Sequence, residues 1–529
     1  MNRRIPLPAS PSLAAFAGAS RRDGGAIPLP RWRVTRAAAA AIVLLGAAAC
    51  DDEPPTEAPP PPPPIELTIV SPEHGSVFPV HHDIELLATA TAPDLGSLPN
   101  DSVRWSVDGD VLVPGPSHTI RLAPGQHTLE VTARYGERSA TQAVAVTVNE
   151  VPVGTVLWRS SLGVSSFGGL SAGDDGTLYA QEGTSELLAL RPDGTLHARF
   201  SDLPGPLGEH PPTILPDGSV LLGTWLGVLA LASDGMARWE YRTTDIGAGP
   251  EDHVHGGVAV GQDGTIYFGT DNYDGVVVAL WPDGTERWVT TVLDSVPTTP
   301  AGAWQFLGAP VLVGDSLVVL IERDSEGIVG LDARNGAVKW RWESGYSRSS
   351  AQLLPAVAAN GDVVVALRRH LVRIDPAGNV VWVVDGLPDW FDIEAVANAP
   401  AIAGGRIYVP AGRGLHVYEA DGSYVGAVGS AGYPRGAVTV GRGGIIYVVD
   451  DRALTSFAPD GSLRYEVEIS GAQPINFWAP SGPVLAPDGT VFVHAGADGV
   501  IAVADTVGPS AGAEWPTTGG GFGRLGRRH

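Results

Sequence analysis

The sequence predicts an all-β chain in which a β-sandwich is followed by an eight-bladed β-propeller. Three observations predict this fold. The 529 residues include 68 Gly and 45 Pro, a content that suits many short strands and turns and excludes a mainly helical chain. From residue 154 onward the sequence repeats at intervals of about 45 residues, and most repeats carry a large aromatic residue at one fixed place.

The first mark of each repeat is a glycine-centred turn between two apolar strands. Successive turns are 39 to 50 residues apart, which is the length of a four-stranded propeller blade. We therefore expect each repeat to form one blade, within a propeller that spans residues 153–516. The eight turns centre on Gly176, Gly218, Gly264, Gly314, Gly361, Gly405, Gly444 and Gly489.

The second mark is another glycine turn with a large ring four residues later. The pattern weakens in the first repeat, where Phe200 is displaced, and in the sixth, where Gly426 takes the aromatic position. A ring at a fixed place in the outer strand predicts packing between neighbouring blades, and stacking on a cofactor is not expected. The rings that follow these glycines are Trp239, Trp288, Trp340, Trp382 and Tyr465.

The last repeat has three strands and no aromatic outer strand. Gly154 and Trp158 show the missing pattern just ahead of the first repeat. We therefore expect the strand Thr155–Ser160 to complete the final blade, with Trp158 as another blade-docking residue. This arrangement removes the open edge that would otherwise invite aggregation.

Residues 65–152 carry a different pattern of alternating strands. Six or seven short strands in so few residues predict a β-sandwich, with Trp105 in its core. The predicted strands are Ile65–Val70, Ile84–Thr91, Ser102–Val107, Thr119–Leu122, His127–Arg134 and Ala140–Val148.

Residues 1–49 have the features of a signal peptide. Arginines precede the apolar run Ala37–Leu45, which is too short to span a bilayer, and small residues lead from it to Cys50. Small residues that end at a cysteine resemble a bacterial lipobox, so we predict that Cys50 is lipidated. The alternative is cleavage by ordinary signal peptidase beside an incidental cysteine. Val34 is an alternative start of the protein.

The folded regions are flanked by two segments of biased composition. Residues 50–64 follow the lipidated cysteine and include six consecutive prolines, Pro59 to Pro64, which predicts an extended linker. Residues 517–529 are rich in Gly and Arg and are predicted to be a disordered tail.

Charge and cysteine content restrict the partners. The formal net charge of −24 argues against nucleic acid as a ligand, because an acidic surface repels the phosphate backbone. With one cysteine, the chain forms no intramolecular disulfide and no cysteine metal cluster. We expect attachment to a membrane through the lipid anchor only.

Two resemblances follow from these motifs. The strings "GLDARNGAVKW", "ALWPDGTERW" and "LALASDGMARW" resemble the repeat of the pyrroloquinoline-quinone-like β-propeller family, which includes quinone-dependent dehydrogenases and the outer-membrane assembly lipoprotein BamB. The strings "SPEHGSVF", "VRWSVDGD" and "LAPGQHTLEVTA" resemble immunoglobulin-like modules of bacterial surface proteins. The second resemblance implies a spacer or an adhesive unit and no catalytic residues.

The enzymes of the propeller family imply a site that this chain does not match. They resemble one another in a vicinal cysteine pair beside the quinone, and Cys50 is the one cysteine here, so neither the quinone nor another cofactor is predicted. Thr270–Gly275 approaches a calcium loop but has Thr270 in place of the first Asp and Trp281 in place of the final Glu, which favours a hairpin. No catalytic residue and no metal site is assigned.

A candidate binding face lies in the loops that join the outer strand of one blade to the inner strand of the next. Alternation along a strand would place His253 and His255 on the same face, near enough to share a metal if a third ligand converged. The favoured interpretation is that they are loop histidines at the channel mouth. Aromatic residues on a rigid scaffold suit a binding surface, and the alternative is that they fill the central channel. The candidate residues are His253, His255, Trp304, Trp390, Phe391, Asp392, Phe477 and Trp478.

The sequence thus predicts a non-catalytic lipoprotein of the cell envelope, extracytoplasmic and held on the periplasmic side or at the cell surface. Its partner is an unidentified envelope protein or small ligand that binds one face of the propeller. The alternative is a carbohydrate-active or metal-dependent enzyme on the same scaffold.

Overall fold

The structure is a computed structural model. It describes residues 62–80, 83–160, 169–201, 203–208, 210–246, 253–254, 256–270, 275–292, 308–322, 327–343, 354–367, 370–385, 399–412, 414–429, 434, 436–450, 452–469, 482–495, 499–510, 517 and 520. Within these residues no helix has the length and apolar character needed to cross a membrane.

Two antiparallel-rich sheets form the part of the chain that precedes residue 150. Sheet A contains β1 (Glu66–Ser71), β3 (Ile84–Ala92), β4 (Gly96–Ser97) and β7 (Ser117–Ile120). Sheet B has the order β2 (Val77–Pro79), β9 (Arg138–Asn149), β8 (Gly125–Tyr135), β5 (Val103–Val107), β6 (Asp110–Pro114), and a 3₁₀ turn, Asn100–Ser102, precedes β5.

The core of this region lies between the two sheets. Trp105 is fully buried among Leu129, Val131 and the inward side chains of sheet A, and its indole N–H donates to the carbonyl of Pro116 over 3.2 Å. The prediction that Trp105 fills a core is confirmed. The six predicted strands are present, with ends that differ by a few residues. The strands β2, β4 and β6 were not predicted. In β6, for example, Val111 and Val113 are exposed, so the sequence lacks the alternation of a half-buried strand.

From residue 156 onward, the described residues form eight four-stranded sheets. Sheet 1 is β11 (Ser171–Ala172), β12 (Leu178–Glu182), β13 (Glu186–Leu190), β14 (Leu196–Phe200); sheet 2 is β15 (Thr213–Ile214), β16 (Val220–Thr224), β17 (Gly227–Leu231), β18 (Ala237–Arg242), followed by the 3₁₀ turn Thr243–Ile246. Sheet 3 is β19 (Val258–Val260), β20 (Ile266–Gly269), β21 (Val276–Leu280), β22 (Glu286–Thr291); sheet 4 is β23 (Val311–Val313), β24 (Leu317–Glu322), β25 (Gly327–Asp332), β26 (Val338–Glu343).

The other four sheets repeat the same antiparallel order. Sheet 5 is β27 (Ala356–Val357), β28 (Val363–Ala366), β29 (His370–Ile374), β30 (Val380–Asp385); sheet 6 is β31 (Ala401–Ala403), β32 (Arg406–Ala411), β33 (Gly414–Glu419), β34 (Tyr424–Gly429). Sheet 7 is β35 (Thr439–Val440), β36 (Ile446–Val449), β37 (Ala453–Phe457), β38 (Leu463–Glu468), with the 3₁₀ turn Arg442–Gly444; sheet 8 is β39 (Val484–Leu485), β40 (Val491–His494), β41 (Val500–Val503) and β10 (Val156–Arg159).

Sheet 8 is built from both ends of the repeat region. β10 pairs antiparallel with β41, with Val156 opposite Val503 and Arg159 opposite Ile501. The prediction that Thr155–Ser160 completes the last sheet is therefore confirmed.

Burial decreases from the inner to the outer strand of a sheet. In sheet 4, β23 is buried along its whole length, whereas β26 alternates between exposed and half-buried residues. First strands of successive sheets contact one another, as β19 does β23 and β31 does β35. Apolar clusters are shared by neighbouring sheets, and one of them joins sheet 8 to sheet 1 through Phe492 and Leu178. The result is an all-β, propeller-like arrangement of sheets.

The turns follow from local chemistry. In the turn before β22, the Asp283 carboxylate accepts the N–H of Thr285 over 3.0 Å, and Gly284 adopts a φ of +82° that disfavours other residues. The antiparallel order gives each sheet two ends. We call the end with the first–second and third–fourth turns the turn face. The opposite end, with the second–third turns and the connections between sheets, is the loop face.

Candidate binding face

An aromatic pair is the most exposed apolar feature among the described residues of the loop face. Trp225 lies in the two-residue turn between β16 and β17, and 44% of its surface is exposed. The ring of His253, from the connection between sheets 2 and 3, is stacked on it with centroids 4.8 Å apart and planes 14° from parallel. The pair presents a flat aromatic surface that contacts solvent.

Backbone hydrogen bonds hold this pair in place. The Trp225 N–H donates to the carbonyl of Pro206 over 2.9 Å, and the Val254 N–H donates to that of Thr224 over 3.1 Å. The loops before and after sheet 2 are therefore bonded to the turn that carries Trp225.

Two glycines permit this close approach of three backbone segments. A Cβ at Gly208 or Gly223 would lie 2.6 Å from the carbonyl oxygen of Val254, too close for any side chain. The buried amide of Gln181 donates to the carbonyls of Gly208 and His210, each over 3.1 Å, which ties the same loop to sheet 1. These hydrogen bonds and close backbone contacts thus fix the positions of the segments that carry the aromatic pair.

Charged side chains lie on the loop face at the neighbouring sheet, sheet 1. Arg199 forms ion pairs with Glu182 and with Glu186, the latter at 2.5 Å, at the loop-face end of sheet 1. The hydrogen bond from Arg199 lowers the pKa of Glu186, so this carboxylate is ionised at neutral pH. Polar rims around an aromatic centre are a common composition of protein interfaces.

Among the predicted face residues, the structure describes His253. The others lie outside the described residues, and their convergence on one face stays a prediction: His255, Trp304, Trp390, Phe391, Asp392, Phe477 and Trp478. Sequence reasoning missed Trp225. The sequence feature that could have identified it is a tryptophan between Gly223 and Gly227. A turn at that place offers no buried strand position for the ring.

The predicted docking rings all contact the next sheet in order. Five indole N–H groups donate to carbonyls of third–fourth turns: Trp158 to Pro192, Trp239 to Pro282, Trp288 to Ala333, Trp340 to Pro376 and Trp382 to Ala420, over 3.0 to 3.1 Å. Each ring also lies against the glycine of that turn; at Gly284, for example, an added Cβ would be 2.5 Å from the Trp239 ring.

Two sheets that break the sequence pattern keep the contact in another form. The displaced Phe200 lies against Gly235, where an added Cβ would be 2.1 Å from the ring. In sheet 6, Val428 lies against Gly461 at 3.4 Å from such a Cβ. The expected decay of the pattern in these repeats therefore applies to the sequence spacing, whereas the contact itself is kept. A residue two positions further along a strand points to the same side, so it can make the same contact.

Sheets 7 and 8 are joined by a buried carboxylate. Asp505 follows β41, is 1% exposed, and accepts hydrogen bonds from Arg464 over 2.7 and 2.9 Å. The hydroxyls of Tyr465 and Tyr447 donate to the same carboxylate over 2.9 and 3.0 Å. Burial raises the pKa of Asp505, but the hydrogen bonds from Arg464, Thr506 and Tyr465 outweigh it and the pKa is lowered.

The turn face has a cavity of about 310 Å³ at the first–second turns of sheets 3, 4 and 5. Its floor includes Leu312 and Val357, and its polar groups are those of Gln262, Asp315 and Asn360. The Asn360 side-chain oxygen already accepts from Arg373 over 3.2 Å. The cavity lies at the opposite end of the sheets from Trp225.

Residues that flank the strands of sheet A contact the turn face elsewhere, at sheet 8. Arg121 binds Asp83 in its own region, with Nε 2.5 Å from Oδ1, and also forms an ion pair with Asp488 in the first–second turn of sheet 8. All three side chains are about three-quarters buried. This bridge holds the preceding region against the turn face.

Two other sequence motifs, the calcium-like loop Thr270–Gly275 and the histidine pair His253–His255, are described only in part. Thr270, which stands first in the calcium-like loop, donates its hydroxyl to the carbonyl of Val276 over 3.3 Å, and residues 271–274 lie outside the described residues. In the part of the chain that the structure describes, no three His, Cys, Asp or Glu side chains are close enough to hold a metal ion.

Comparison with known proteins gives one family match. Residues 227–424 match the family model described as outer membrane protein assembly factor BamB. No curated protein matches the chain.

Three solved structures align with about two thirds to three quarters of this chain. BamB from Moraxella catarrhalis is 15% identical, with a TM-score of 0.47, over 66% of this chain and 97% of that one. The C-terminal WD40 domain of Sif2 is 13% identical, with a TM-score of 0.49, over 68% and 99%. A quinonprotein alcohol dehydrogenase-like protein from Bacteroides thetaiotaomicron is 12% identical, with a TM-score of 0.36, over 76% and 96%.

Proposed function

We propose that this chain is a non-catalytic lipoprotein of the cell envelope that binds a protein partner through the loop face. The exposed stack of Trp225 on His253 is the observation that carries the proposal. Aromatic side chains with few rotatable bonds lose little conformational entropy on binding and dominate the energetics of protein interfaces.

The proposed fold is an eight-bladed β-propeller, with sheets 1 to 8 as blades, preceded by an immunoglobulin-like sandwich of sheets A and B. The match of residues 227–424 to the BamB family model supports both the propeller and a role as a protein-binding scaffold in the envelope. Chains of that description assemble outer membrane proteins, and binding to a protein is the part of that role proposed here.

The choice of the loop face rests on what contacts the other end. The Arg121–Asp488 bridge sets the sandwich against the turn face at sheet 8. The link from β9 to β10 spans six residues, Glu150 to Thr155, and β10 begins at the turn face, so the sandwich stays near that end. The loop face is then the end on which a partner approaches without contacting the sandwich.

The anchor follows from the sequence ahead of the folded region. Lipidation of Cys50 and the six prolines Pro59–Pro64 would hold the sandwich at a distance from the membrane.

Two tryptophans of equal exposure provide the test. Trp225→Ala changes the loop face, and Trp281→Ala changes a third–fourth turn on the turn face, where 43% of the side chain is exposed and Arg287 lies 4.5 Å from its ring centre. Partners crosslinked to the wild-type chain in envelope extract are identified, and the affinity of each purified partner for both variants is then measured. Trp225→Ala should weaken binding by about 2 kcal/mol, roughly 30-fold, and Trp281→Ala by less than about twofold.

Equal effects of the two substitutions, or a loss confined to Trp281→Ala, would contradict the choice of the loop face. His253→Ala should weaken binding less than Trp225→Ala, because it removes the support of the indole and not the indole itself. Thermal unfolding of each variant checks that the fold is retained.

A further inference from the structure

The chain returns to sheet 7 after it has left sheet 8. Beyond Asp505, Pro509 forms an isolated antiparallel bridge with Gly441, and the Arg442 N–H donates to the carbonyl of Gly508 over 3.0 Å. Gly441 directly follows β35, the first strand of sheet 7. The segment therefore adds itself to the inner edge of that sheet.

The approach is too close for side chains on either partner. A Cβ at Gly441 would lie 2.9 Å from Val507 and 3.0 Å from Leu485, and one at Gly508 would lie 2.9 Å from the carbonyl oxygen of Pro487. Pro509 has no N–H, so the added segment offers no donor at that position for another strand. The chain's own residues thus occupy this edge of sheet 7, and Pro509 offers no N–H to which a further strand could pair.

A second contact lies deeper along the same strand. Thr517 is fully buried, and its Oγ1 is 3.0 Å from the Oγ1 of Thr439, at the start of β35. The Thr439 hydroxyl donates its one proton to the carbonyl of Pro483 over 2.7 Å, so Thr517 must be the donor between the two hydroxyls. The two ends of one short edge, Thr439 and Arg442, are each bonded to the C-terminal segment.

This observation bears on the start of the predicted tail. Within residues 517–529, which were predicted to be a disordered tail, the structure describes Thr517, which is buried and bonded, and Gly520, whose N–H donates to the Thr517 carbonyl over 3.1 Å; the character of the tail as a whole stays a prediction. The composition of the tail favours disorder, and the contact with Thr439 depends on a strand some 78 residues away that composition does not show.

We propose that the inner edge of sheet 7, from Thr439 to Arg442, is a peptide-binding edge and that the chain's own C-terminal segment is its ligand. The recognised feature is an extended segment that pairs with Gly441 at Gly-Pro and donates a hydroxyl to Thr439 from a buried threonine. Occupation by this segment excludes other extended peptides from the same edge.

The test separates the segment from its edge. A chain that ends at Val507 keeps Asp505 and loses Gly508 and Thr517, so the Arg442 amide loses its acceptor. Hydrogen exchange at Arg442 should accelerate at least tenfold relative to the full chain. A synthetic peptide of residues 508–520, GPSAGAEWPTTGG, should bind this shortened chain and restore the slow exchange.

Matched peptides test the hydroxyl. A peptide with Thr517→Val should bind about 3- to 10-fold more weakly, because it loses one buried hydrogen bond. A peptide with Thr517→Ser keeps the hydroxyl and should bind within about twofold of the wild-type peptide. Absence of binding at millimolar peptide, with a folded shortened chain and unchanged exchange at Arg442, would overturn the proposal.

If the shortened chain does not fold, the full chain with Thr517→Val or Thr517→Ser replaces it. Faster exchange at the amides of residues 439–442 in the Thr517→Val chain than in the Thr517→Ser chain supports the peptide-binding edge. Equal exchange in the two variants contradicts it.

Discussion

Removal of the Asp505 carboxylate tests how the two ends of the repeat region are held together. Asp505→Ala leaves the Arg464 guanidinium and the hydroxyls of Tyr465 and Tyr447 facing an apolar side chain. These donors belong to sheet 7, whereas Asp505 follows the last strand of sheet 8. The substitution therefore weakens one specific junction.

The expected loss follows from burial. Removing one partner of a buried ion pair costs about 3–5 kcal/mol, because the remaining charge keeps no compensating group. For a unit of this size the entropy of unfolding is on the order of 1 kcal/mol per degree, so the midpoint of thermal unfolding should fall by about 3–5 °C. Asp505→Asn keeps the shape and loses the charge, and its effect should be smaller.

The effect should also depend on pH. The pKa of Asp505 is lowered in the folded chain, so its contribution to stability is complete above the unfolded pKa of about 4 and is lost as the pH falls through the lower folded pKa. The difference in unfolding midpoint between the wild type and Asp505→Asn should therefore be constant from pH 7 to pH 5 and shrink below about pH 4.

The assay is thermal unfolding followed by circular dichroism between pH 3 and pH 7. Asp421→Asn makes the same chemical change in a turn of sheet 6, where the carboxylate accepts from Ser423, and serves as the control. A midpoint of Asp505→Ala within 1 °C of the wild type would refute the assigned role, and so would a wild-type advantage that persists unchanged at pH 3.

Three further changes follow from contacts described above. Gly284→Ala should destabilise the chain by about 2 kcal/mol in thermal or urea unfolding, because φ is +82° and the new Cβ meets the Trp239 ring. A double-mutant cycle of Arg121→Ala and Asp488→Asn should give a coupling of about 1–2 kcal/mol in the free energy of unfolding. Cys50→Ser should move the protein from the membrane fraction to the soluble fraction if lipidation is the anchor.

Each of these has a clear counter-result. Gly405→Ala, at a φ of +76° with no atom within 4 Å of the new Cβ, controls for backbone strain alone; an equal loss at both glycines would remove the role of the ring contact. Additive effects of the Arg121 and Asp488 variants would mean that the bridge does not hold the sandwich. Membrane association that persists in Cys50→Ser would exclude the lipid anchor.

The repeat spacing was sufficient to predict the sheets because each repeat uses the same local chemistry. A glycine at each turn and a ring at one offset depend on neighbours in sequence, and the pairing of β10 with β41 followed from a missing ring in one place and a spare Trp158 in another. Phe200 was judged displaced because spacing alone does not show that positions two residues apart share one side of a strand.

Contacts between distant segments were not accessible from the sequence. Asp505 follows a strand that resembles many others in the chain. No sequence pattern near it predicts that Arg464 and Tyr447 donate hydrogen bonds to its carboxylate. Trp225 was missed for a different reason: the search favoured the long connections between sheets and passed over a two-residue turn. Of the predicted face, His253 is the residue whose geometry is known.

The pairing of β10 with β41 also sets the order of events during synthesis. The two strands are about 340 residues apart, as shown by the bond between Ser160 and Val500. At the usual 5–20 residues per second, about 20–70 s pass between the appearance of the first strand and that of its partner. Throughout this interval β10 lacks its partner strand, so its edge is open to pairing with other chains until the last repeat emerges.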